Sequence, residues 1–328
     1  MTKILITHNV RIDEKALEMM REVAQVTILP DGSDATLLSE IRDASAVLVG
    51  SMPSIDKRLI ESAVKLRHIA RTGVGTDSID LQAATERGII VTNTPGLTSD
   101  SVAEFTMALL LSLAKNIPRC DSAVRNDRWD ERLELILNNI ELKGKTHGIV
   151  GMGTIGSKVA VRCKAFDMKV LYYKRNRNLA FEKSAGIAYA PFETLLNESD
   201  SISLHLPLTN ETTHLFDRPQ FRSMKETALL INQARGKVVN EKALVQALKE
   251  GRIGGYATDV FENEPPGPKS ELLGFKNVIV SPHLGGVTRE SRIKSSMMVA
   301  EEVLKVIWGD LPKNLVNREV LKRSRLNK

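Results

Sequence analysis

The chain has 328 residues, of which 42% are hydrophobic and 26% are charged. This composition is typical of a folded α/β protein with room for two domain cores, and no apolar run reaches the roughly 18 residues that a membrane span needs. The net charge of +6 lies mostly in residues 312–328, which hold six basic side chains and one acidic one. Such a basic segment indicates a solvated terminus rather than a nucleic-acid surface.

The cysteine content and the first residues bear on the cellular compartment. Cys120 and Cys163 form neither a disulfide framework nor a metal-ligand spacing. Residues 1–7 are too short for a signal peptide and are typical of a first strand. We therefore expect a cytoplasmic protein that has no metal site and binds neither nucleic acid nor a membrane.

Short apolar strands alternate with helical stretches, such as 14–23 and 36–43, through the first hundred residues. Such alternation predicts a parallel sheet covered by helices. Five strands are few for a domain, so we expect the chain to return to this domain further on. The predicted strands are residues 4–7, 26–29, 46–49, 68–70 and 89–92.

A long apolar helix is predicted at residues 101–113. It is apolar over too much of its circumference for a surface helix and needs cover on more than one side. We predict that it packs at a two-fold homodimer interface, and the alternative is burial within one chain.

A glycine-rich turn, 151–156, follows the apolar run 148–150 and opens the predicted helix 157–166. With the next strand at 169–173, this is a βαβ unit whose first turn carries G-x-G-x-x-G. The first glycine permits the tight turn, the second lets the backbone approach a pyrophosphate, and the third lets helix pack on strand. The hexapeptide alone is a weak signal, but in this setting it predicts dinucleotide binding at the helix N-terminus.

The strands 201–204, 228–232, 256–260 and 278–280 continue the dinucleotide-binding domain, and a long helical stretch follows at 289–307. We expect residues 1–98 and 288–328 to form a discontinuous substrate domain, and residues 99–287 to form the dinucleotide-binding domain. The predicted fold class is α/β, with two Rossmann-like or flavodoxin-like doubly wound parallel sheets and an active site in the cleft between them.

Three residues with complementary chemistry follow strands of the second domain: Arg235, Glu264 and His283. Ligands bind outside the carboxyl ends of parallel strands, so the three can converge. A guanidinium can hold a carboxylate bidentately, an imidazole can exchange a proton near neutral pH, and a carboxylate can orient the imidazole. Each alone has an ordinary alternative as a surface or loop residue, but together they favour reduction of an α-keto acid by hydride transfer.

Several segments of the chain resemble the signature segments of the D-isomer-specific 2-hydroxyacid dehydrogenases, and the resemblance extends from about residue 40 to residue 305. It implies that Arg235 binds the substrate carboxylate and carbonyl, that His283 is the acid–base residue, and that Glu264 is its partner. Val74 and Gly75 would offer backbone N–H groups to the substrate carboxylate from the other domain. The segments are residues 71–77, 93–104, 200–209, 232–244, 259–265 and 281–291.

The same resemblance implies a cofactor-binding set, in which Asp259 bonds the nicotinamide carboxamide. Besides Asp259, the set consists of Gly151, Gly153, Thr154, Ile155, Gly156, His205, Pro207, Asn232, Gln233, Ala234 and Gly285.

The segment at the end of the second cofactor strand departs from the pattern of an NAD-specific member, which carries an Asp there to bond both ribose hydroxyls. Here residues 172–177 contain no acid. Lys174, Arg175 and Arg177 would instead give a 2′-phosphate charge-assisted partners. NADP is therefore the favoured cofactor, and the alternative is a solvated basic loop that tolerates NADP or NAD.

The second departure concerns the substrate. Phosphoglycerate dehydrogenases of this family usually place an Arg just after the third strand of the first domain, whereas residues 49–53 here contain no cation. We expect a small unphosphorylated 2-keto acid such as glyoxylate, hydroxypyruvate or pyruvate. We also expect no C-terminal regulatory domain. The alternatives are a D-3-phosphoglycerate dehydrogenase of serine biosynthesis and a non-catalytic, cofactor-sensing regulator.

Overall fold

A computed structural model describes residues 2–323, so Arg325 and Lys328 of the basic terminal segment lie outside the described residues. The chain divides into two compact units. The first unit takes the residues up to Thr98 together with those from Val287 onward, and the second takes Ser99–Gly286.

The first unit begins with alternating strands and helices. Its strands are β1 (Lys3–Ile6), β2 (Gln25–Ile28), β3 (Ala46–Val49), β4 (His68–Arg71) and β5 (Ile90–Thr92). Its first helices are α1 (Glu14–Arg21), α2 (Asp34–Ile41), α3 (Lys57–Ser62) and α4 (Leu81–Glu86). The strand order is β2-β1-β3-β4-β5, and every neighbouring pair is parallel. This is the flavodoxin-like order of a doubly wound sheet.

Each of these four helices starts at a residue whose side chain caps it. Asp13, Ser33, Asp56 and Asp80 accept hydrogen bonds from backbone N–H groups of the following turn. These N–H groups have no partner within the helix, so short polar side chains at these positions fix where the helices begin. The strands between them are largely apolar, because the sheet is covered on both faces.

The second unit holds the longer sheet. Its helices are α5 (Ser99–Ala114), α6 (Ile117–Arg125), α7 (Arg132–Leu137), α8 (Thr154–Ala165), α9 (Leu179–Ala185), α10 (Phe192–Glu198), α11 (Arg218–Ser223) and α12 (Glu241–Lys249). Its strands are β6 (Thr146–Val150), β7 (Lys169–Tyr173), β8 (Ala188–Tyr189), β9 (Ser201–Leu204), β10 (Leu229–Asn232), β11 (Gly255–Thr258) and β12 (Val278–Val280). Helix α13 (Arg289–Trp308) then belongs to the first unit.

The seven strands of the second unit are all parallel, in the order β12-β11-β10-β9-β6-β7-β8. The strand order reverses between β6 and β9, and in a doubly wound sheet a ligand crevice opens at this reversal. The predicted α/β class with two parallel sheets is confirmed. Strand β8, only two residues long, was too short to leave a periodic pattern in the sequence.

Helix α5 contains the apolar run that predicted a dimer interface. In the structure ten of its sixteen residues are buried, and it packs against α8 and against strands β10, β11 and β12 of its own unit. Three ion pairs join its polar side to α8: Lys158 with Asp100 at 2.8 Å, and Arg162 with Asp100 at 3.3 Å and with Glu104 at 3.1 Å. The chain itself therefore covers much of this helix, and the dimer through it stays a prediction.

Candidate active site

The glycine-rich turn after β6 has the geometry that a phosphate cradle requires. Gly151 has a φ of 101°, and a Cβ there would lie 2.4 Å from the His205 carbonyl oxygen. A Cβ on Gly156 would lie 2.3 Å from the Gly151 carbonyl oxygen, so helix α8 packs directly on the turn. A Cβ on Gly153 would meet no described atom within 4 Å, and no side chain of the described residues caps α8. The first turn of α8, which begins at Thr154 and Ile155, therefore suits a dinucleotide pyrophosphate.

Arg235 lies in a tight loop after β10. The side chain of Asn232 fixes this loop, because its Oδ1 accepts from the Ala234 N–H at 3.0 Å and its Nδ2 donates to the Arg235 carbonyl at 2.9 Å. A Cβ on Gly236 would lie 1.9 Å from the Phe261 backbone, so the loops after β10 and β11 touch at this glycine. The Arg235 side chain is half-buried and donates to the Ala234 carbonyl at 2.7 Å.

Glu264 and His283 form a hydrogen-bonded pair, with Oε2 of the carboxylate 2.7 Å from Nδ1 of the ring. The other oxygen, Oε1, accepts from the Phe261 N–H at 3.1 Å. Burial raises the pKa of Glu264, but the hydrogen bond and charge of His283, the Phe261 N–H and the charge of Arg235 together lower it below its ordinary value. An ionised carboxylate only accepts, so Nδ1 carries a proton and Nε2 is left to exchange one with a ligand.

Asp259 has a structural task besides the cofactor contact that the family resemblance implies, which stays a prediction. Its two oxygens accept from the N–H groups of Leu284 and Gly285, at 2.8 and 2.6 Å, and the residue is 2% exposed. It therefore ties the loop that carries His283 to the end of β11. His283 has a φ of 56°, a left-handed conformation that non-glycine residues adopt only where the surroundings hold it.

Gln233 belongs to the cofactor-binding set that the family resemblance implies. A Cβ on Gly285 would lie 2.4 Å from the Gln233 amide oxygen and 2.9 Å from Asp259 Oδ2. The Gln233 amide nitrogen is buried and has no hydrogen-bond partner among the described residues. A buried donor without a partner is costly, so this amide fits a ligand oxygen better than a closed core.

A second histidine–glutamate pair supports the same loops. Nε2 of His214 lies 2.7 Å from Oε1 of Glu262, and the other Glu262 oxygen accepts from the Glu241 N–H at 3.3 Å. The backbone N–H of His214 donates to the Lys237 carbonyl at 2.7 Å. The loop before α11 is thereby tied to the loops that follow β10 and β11. The sequence did not predict this pair, because two residues 48 positions apart leave no local pattern.

His205 and Pro207 follow β9, beside the glycine-rich turn. The backbone N–H of His205 donates to the Val150 carbonyl at 2.8 Å, and the ring Nε2 lies 2.9 Å from Ser203 Oγ. Burial, with a smaller contribution from the charge of His147, lowers the pKa of His205 to about 3. Its Nδ1 is buried without a partner among the described residues. A neutral ring with one free nitrogen fits a cofactor-lining role and not proton transfer at neutral pH.

His147 lies inside β6 and is fully buried. Its two ring nitrogens lie 2.7 Å from Ser201 Oγ and 2.9 Å from Ser203 Oγ. Burial lowers its pKa to about 4. Both nitrogens are occupied, so this histidine links strands and does not exchange protons with a ligand.

The basic loop after β7 differs from its expected form at one position. Arg177 forms two hydrogen bonds with Glu182, at 2.7 and 3.1 Å, and its guanidinium lies 5.0 Å from the centroid of the Tyr189 ring. Residues 172–177 contain no acid, but the structure brings one to this loop from α9. Lys174 is half-buried and Arg175 is exposed, and neither forms an ion pair with a described residue.

Val74 and Gly75 belong to the first unit, in the loop after β4. The Val74 carbonyl accepts from the Asn93 side chain at 2.8 Å, and the Gly75 carbonyl accepts from Arg71 Nε at 3.0 Å. Their own N–H groups have no hydrogen-bond partner between residues 2 and 323. The loop is thus held through its carbonyls, which leaves two adjacent donors for an anion.

No group of three or more His, Cys, Asp or Glu side chains within residues 2–323 is arranged to hold a metal ion. Over the same residues, no helix combines the length and apolarity that crossing a membrane demands.

Residues 107–285 match the family model described as D-isomer specific 2-hydroxyacid dehydrogenase, NAD binding domain. A glyoxylate reductase of Korarchaeum cryptofilum is 42% identical over 315 residues, which cover 95% of each chain. A D-3-phosphoglycerate dehydrogenase of Methanocaldococcus jannaschii is 41% identical over 329 residues, but they cover only 62% of that protein.

Two solved structures are similar over nearly the whole chain. The D-lactate dehydrogenase of Aquifex aeolicus, complexed with NAD and lactic acid, has a TM-score of 0.87 and 31% identity, and covers 96% of this chain and 99% of that one. The NADPH-dependent glyoxylate/hydroxypyruvate reductase of Sinorhizobium meliloti, in complex with NADP and malonate, has a TM-score of 0.84 and 28% identity, and covers 97% of each. The chain belongs to the D-isomer-specific 2-hydroxyacid dehydrogenase family and is an NAD(P)-dependent oxidoreductase, as the sequence predicted.

Proposed function

We propose that this protein reduces a small 2-keto acid, such as glyoxylate or hydroxypyruvate, to the D-2-hydroxy acid, with NADPH preferred over NADH. One observation carries the proposal: Arg235 and the Glu264–His283 pair follow three adjacent strands at one sheet edge. The charge of Arg235 also reaches the Glu264 carboxylate. An anion-binding cation and a proton-exchanging dyad together fit a carbonyl group that lies beside a carboxylate.

In the proposed mechanism, Arg235 holds the substrate carboxylate with its planar fork and polarises the neighbouring carbonyl. The Val74 and Gly75 N–H groups donate to the same carboxylate. A bound reduced nicotinamide would supply the hydride to the carbonyl carbon. His283 donates the proton from Nε2 to the carbonyl oxygen as that oxygen gains charge, and Glu264 orients the ring through its hydrogen bond to Nδ1.

The preference for an unphosphorylated acid is supported by the loop after β3. Residues 49–53 contain no cation, and Met52 there is 42% exposed. A substrate phosphate with close to two negative charges would need a cationic partner in that loop. The relatives named glyoxylate reductase agree with this choice, and the alternative, D-3-phosphoglycerate dehydrogenase, has relatives at similar identity.

The preference for NADPH is supported by Lys174 and Arg175, which form no ion pair with acids of the described residues, although the charge of Arg175 reaches Glu211. Arg177 contributes less than the sequence suggested, because Glu182 already neutralises it. The solved relatives include one with NAD and one with NADP, so the choice in this chain rests on its own loop.

The assay that tests substrate and cofactor together follows the oxidation of NADPH and NADH with a panel of 2-keto acids. The panel contains glyoxylate, hydroxypyruvate, pyruvate and phosphohydroxypyruvate. We expect the highest kcat/KM with glyoxylate or hydroxypyruvate and NADPH. A higher kcat/KM with phosphohydroxypyruvate would favour the phosphoglycerate dehydrogenase alternative, and no turnover of any acid would favour the regulator.

We also propose a homodimer, through the predicted helix α5 together with the segment that follows it, since α5 contacts α6 and α6 contacts α7. Large apolar side chains are exposed on the short 3-10 helix Trp129–Glu131 and on α7, with Trp129 69%, Leu133 71% and Leu137 85% exposed. Exposed apolar surface is a feature of interaction sites. Sedimentation should show a dimer that Leu133→Glu with Leu137→Glu dissociates, and a wild-type monomer would contradict it.

We also propose that the protein works in the reducing cytoplasm, because its two cysteines are free thiols.

A further inference from the structure

A cavity of about 550 Å³ opens at the amino edge of the five-stranded sheet in the first unit. Its walls come from the starts of β1, β3, β4 and β5, from the last turn of α13, and from Arg323. Val74 and Gly75 follow β4 at the carboxyl edge of this sheet. The cavity therefore lies at the opposite edge from the substrate-binding backbone, and its volume is in the range of small-molecule sites.

Four cationic side chains line this cavity: Lys65, Arg67, Arg87 and Arg323. None of the described residues that line it is acidic. Lys65 forms an ion pair with Asp43 at 2.9 Å, but the three arginines form no ion pair with a residue in the range 2–323. Three guanidinium groups thus surround one concave site, and no carboxylate of the described residues pairs with them.

Helix ends offset only part of this charge. Arg87 donates to the Glu61 carbonyl in α3 at 2.8 Å, and Arg323 donates to the Glu86 carbonyl in α4 at 3.5 Å. The carboxyl ends of α3, α4 and α13 carry at most about half a negative charge each, against three full positive charges. Each guanidinium has five N–H donors, so most donors of Arg87 and Arg323 are left for a ligand.

A buried histidine gives a second, independent indication of a ligand. His68 lines the cavity and is 1% exposed. Its Nε2 lies 2.8 Å from Thr92 Oγ1, whereas Nδ1 is buried and has no partner among the described residues. When Nε2 accepts from the Thr92 hydroxyl, Nδ1 carries a proton that a ligand oxygen can accept.

We propose that this cavity binds a small organic phosphate, with its phosphate groups held by Arg67, Arg87 and Arg323. The planar guanidinium fork matches phosphate oxygens, and three such groups favour a ligand with more than one negative charge. The apolar side chains of the walls, such as Leu66, Ile90 and Val306, suit the carbon body of such a ligand. The site is independent of the proposed function, because no residue of it takes part in the reduction.

Calorimetry on the full chain, saturated with NADPH or NADH to fill the cofactor site, tests this proposal. The probes are fructose 1,6-bisphosphate, inorganic pyrophosphate and uncharged fructose. We expect one bisphosphate per chain, tighter binding than pyrophosphate, and no binding of fructose. Arg67→Gln with Arg87→Gln should weaken bisphosphate binding at least about tenfold, because two charge-assisted contacts are lost.

The matched control removes two exposed cations of the same unit that do not line the cavity, by Lys15→Gln with Lys294→Gln. It should leave bisphosphate binding unchanged. Arg323→Glu serves as an independent variant outside the core, should the double arginine variant lower the melting temperature. Absence of bisphosphate binding, or equal weakening in the control, would overturn the proposal. The presence or absence of 2-keto acid reduction would not affect this proposal, because the experiment measures binding.

Discussion

The loop after β4 in the first unit offers backbone N–H groups, whereas the loops after β10, β11 and β12 in the second unit offer charged side chains. The first loop is held chiefly by Arg71, which donates to the Gly75 and Thr72 carbonyls. The second set is tied together by Asn232, Asp259 and the Glu262–His214 pair. Backbone donors keep their direction once the loop is fixed, but long side chains need a supporting shell to hold their geometry.

The largest expected effect comes from replacing His283, which lies on one of these tied loops of the second unit. Asn tolerates the left-handed backbone of this position better than Ala, so His283→Asn removes the proton donor with the least strain. We expect kcat to fall by roughly 10²–10⁴, with cofactor affinity unchanged. The measurement is steady-state kinetics, combined with a direct titration of cofactor binding.

His214 offers a matched control for this prediction. It also has a left-handed φ, 53°, and it also lies 2.7 Å from a glutamate. If the reaction needs a proton donor at His283 but not at His214, His214→Asn should lower kcat far less than His283→Asn. Similar losses in both variants would mean that the two pairs act through structure alone.

Arg235→Lys is expected to have the next largest effect. The substitution keeps the charge but loses the planar fork that binds a carboxylate bidentately. We expect KM for the keto acid to rise roughly 10- to 100-fold, the loss of one strong charge-assisted contact. Lys237→Gln, an exposed cation on the same loop, should leave KM unchanged. An unaltered KM in Arg235→Lys would rule out the carboxylate-binding role.

A smaller effect is expected in the basic loop after β7, where two arginines differ in their surroundings. Arg175→Asp should lower the ratio of kcat/KM for NADPH to that for NADH by about tenfold or more, since one charge-assisted bond to the 2′-phosphate is worth roughly 1.5–3 kcal/mol. Arg177→Gln should change this ratio less, because its charge is already neutralised by Glu182. Equal ratios in wild type and Arg175→Asp would show that the loop is solvated and unselective.

The sequence predicted the class of fold, and it indicated candidate site residues for a physical reason. Parallel strands buried on both faces leave apolar runs, and loops at their carboxyl ends carry the polar residues, so Arg235, Glu264 and His283 could be proposed from their order along the chain. The predicted family and enzyme class are confirmed. The assigned roles of individual residues stay predictions, because no observation tests them.

What the sequence did not predict depends on contacts between distant residues. The cover over α5 comes from α8 and three strands, and apolarity alone does not say which neighbour provides it. Glu182 reaches Arg177 because α9 folds back beside β7, so an acid is present where the local segment has none. Asp259 anchors two backbone N–H groups from a loop 25 residues away. Each of these contacts follows from tertiary packing, to which local motifs are insensitive.

Each unit also carries a fully buried histidine on a strand, His68 in β4 and His147 in β6, and their pKa values are lowered by burial to about 3 and about 4. The ordinary pKa is 6.5, so the unfolded chain binds these protons well before the folded one does. The stability that the neutral rings contribute is present above pH 6.5 and is lost as pH falls toward 4. Near pH 5, each histidine should lower the free energy of unfolding by roughly 1.4 kcal/mol for each unit by which the pH decreases.

Urea unfolding at several pH values between 7 and 5 tests this prediction with His68→Gln and His147→Gln, since Gln keeps a polar group but does not titrate. Each variant should reduce the slope of unfolding free energy against pH by about one proton. At pH 7, His147→Gln should cost more than His68→Gln, because His147 partners two serine hydroxyls and His68 one threonine. Unchanged slopes would mean that the folded chain takes up these protons, with the strands opening to water before global unfolding.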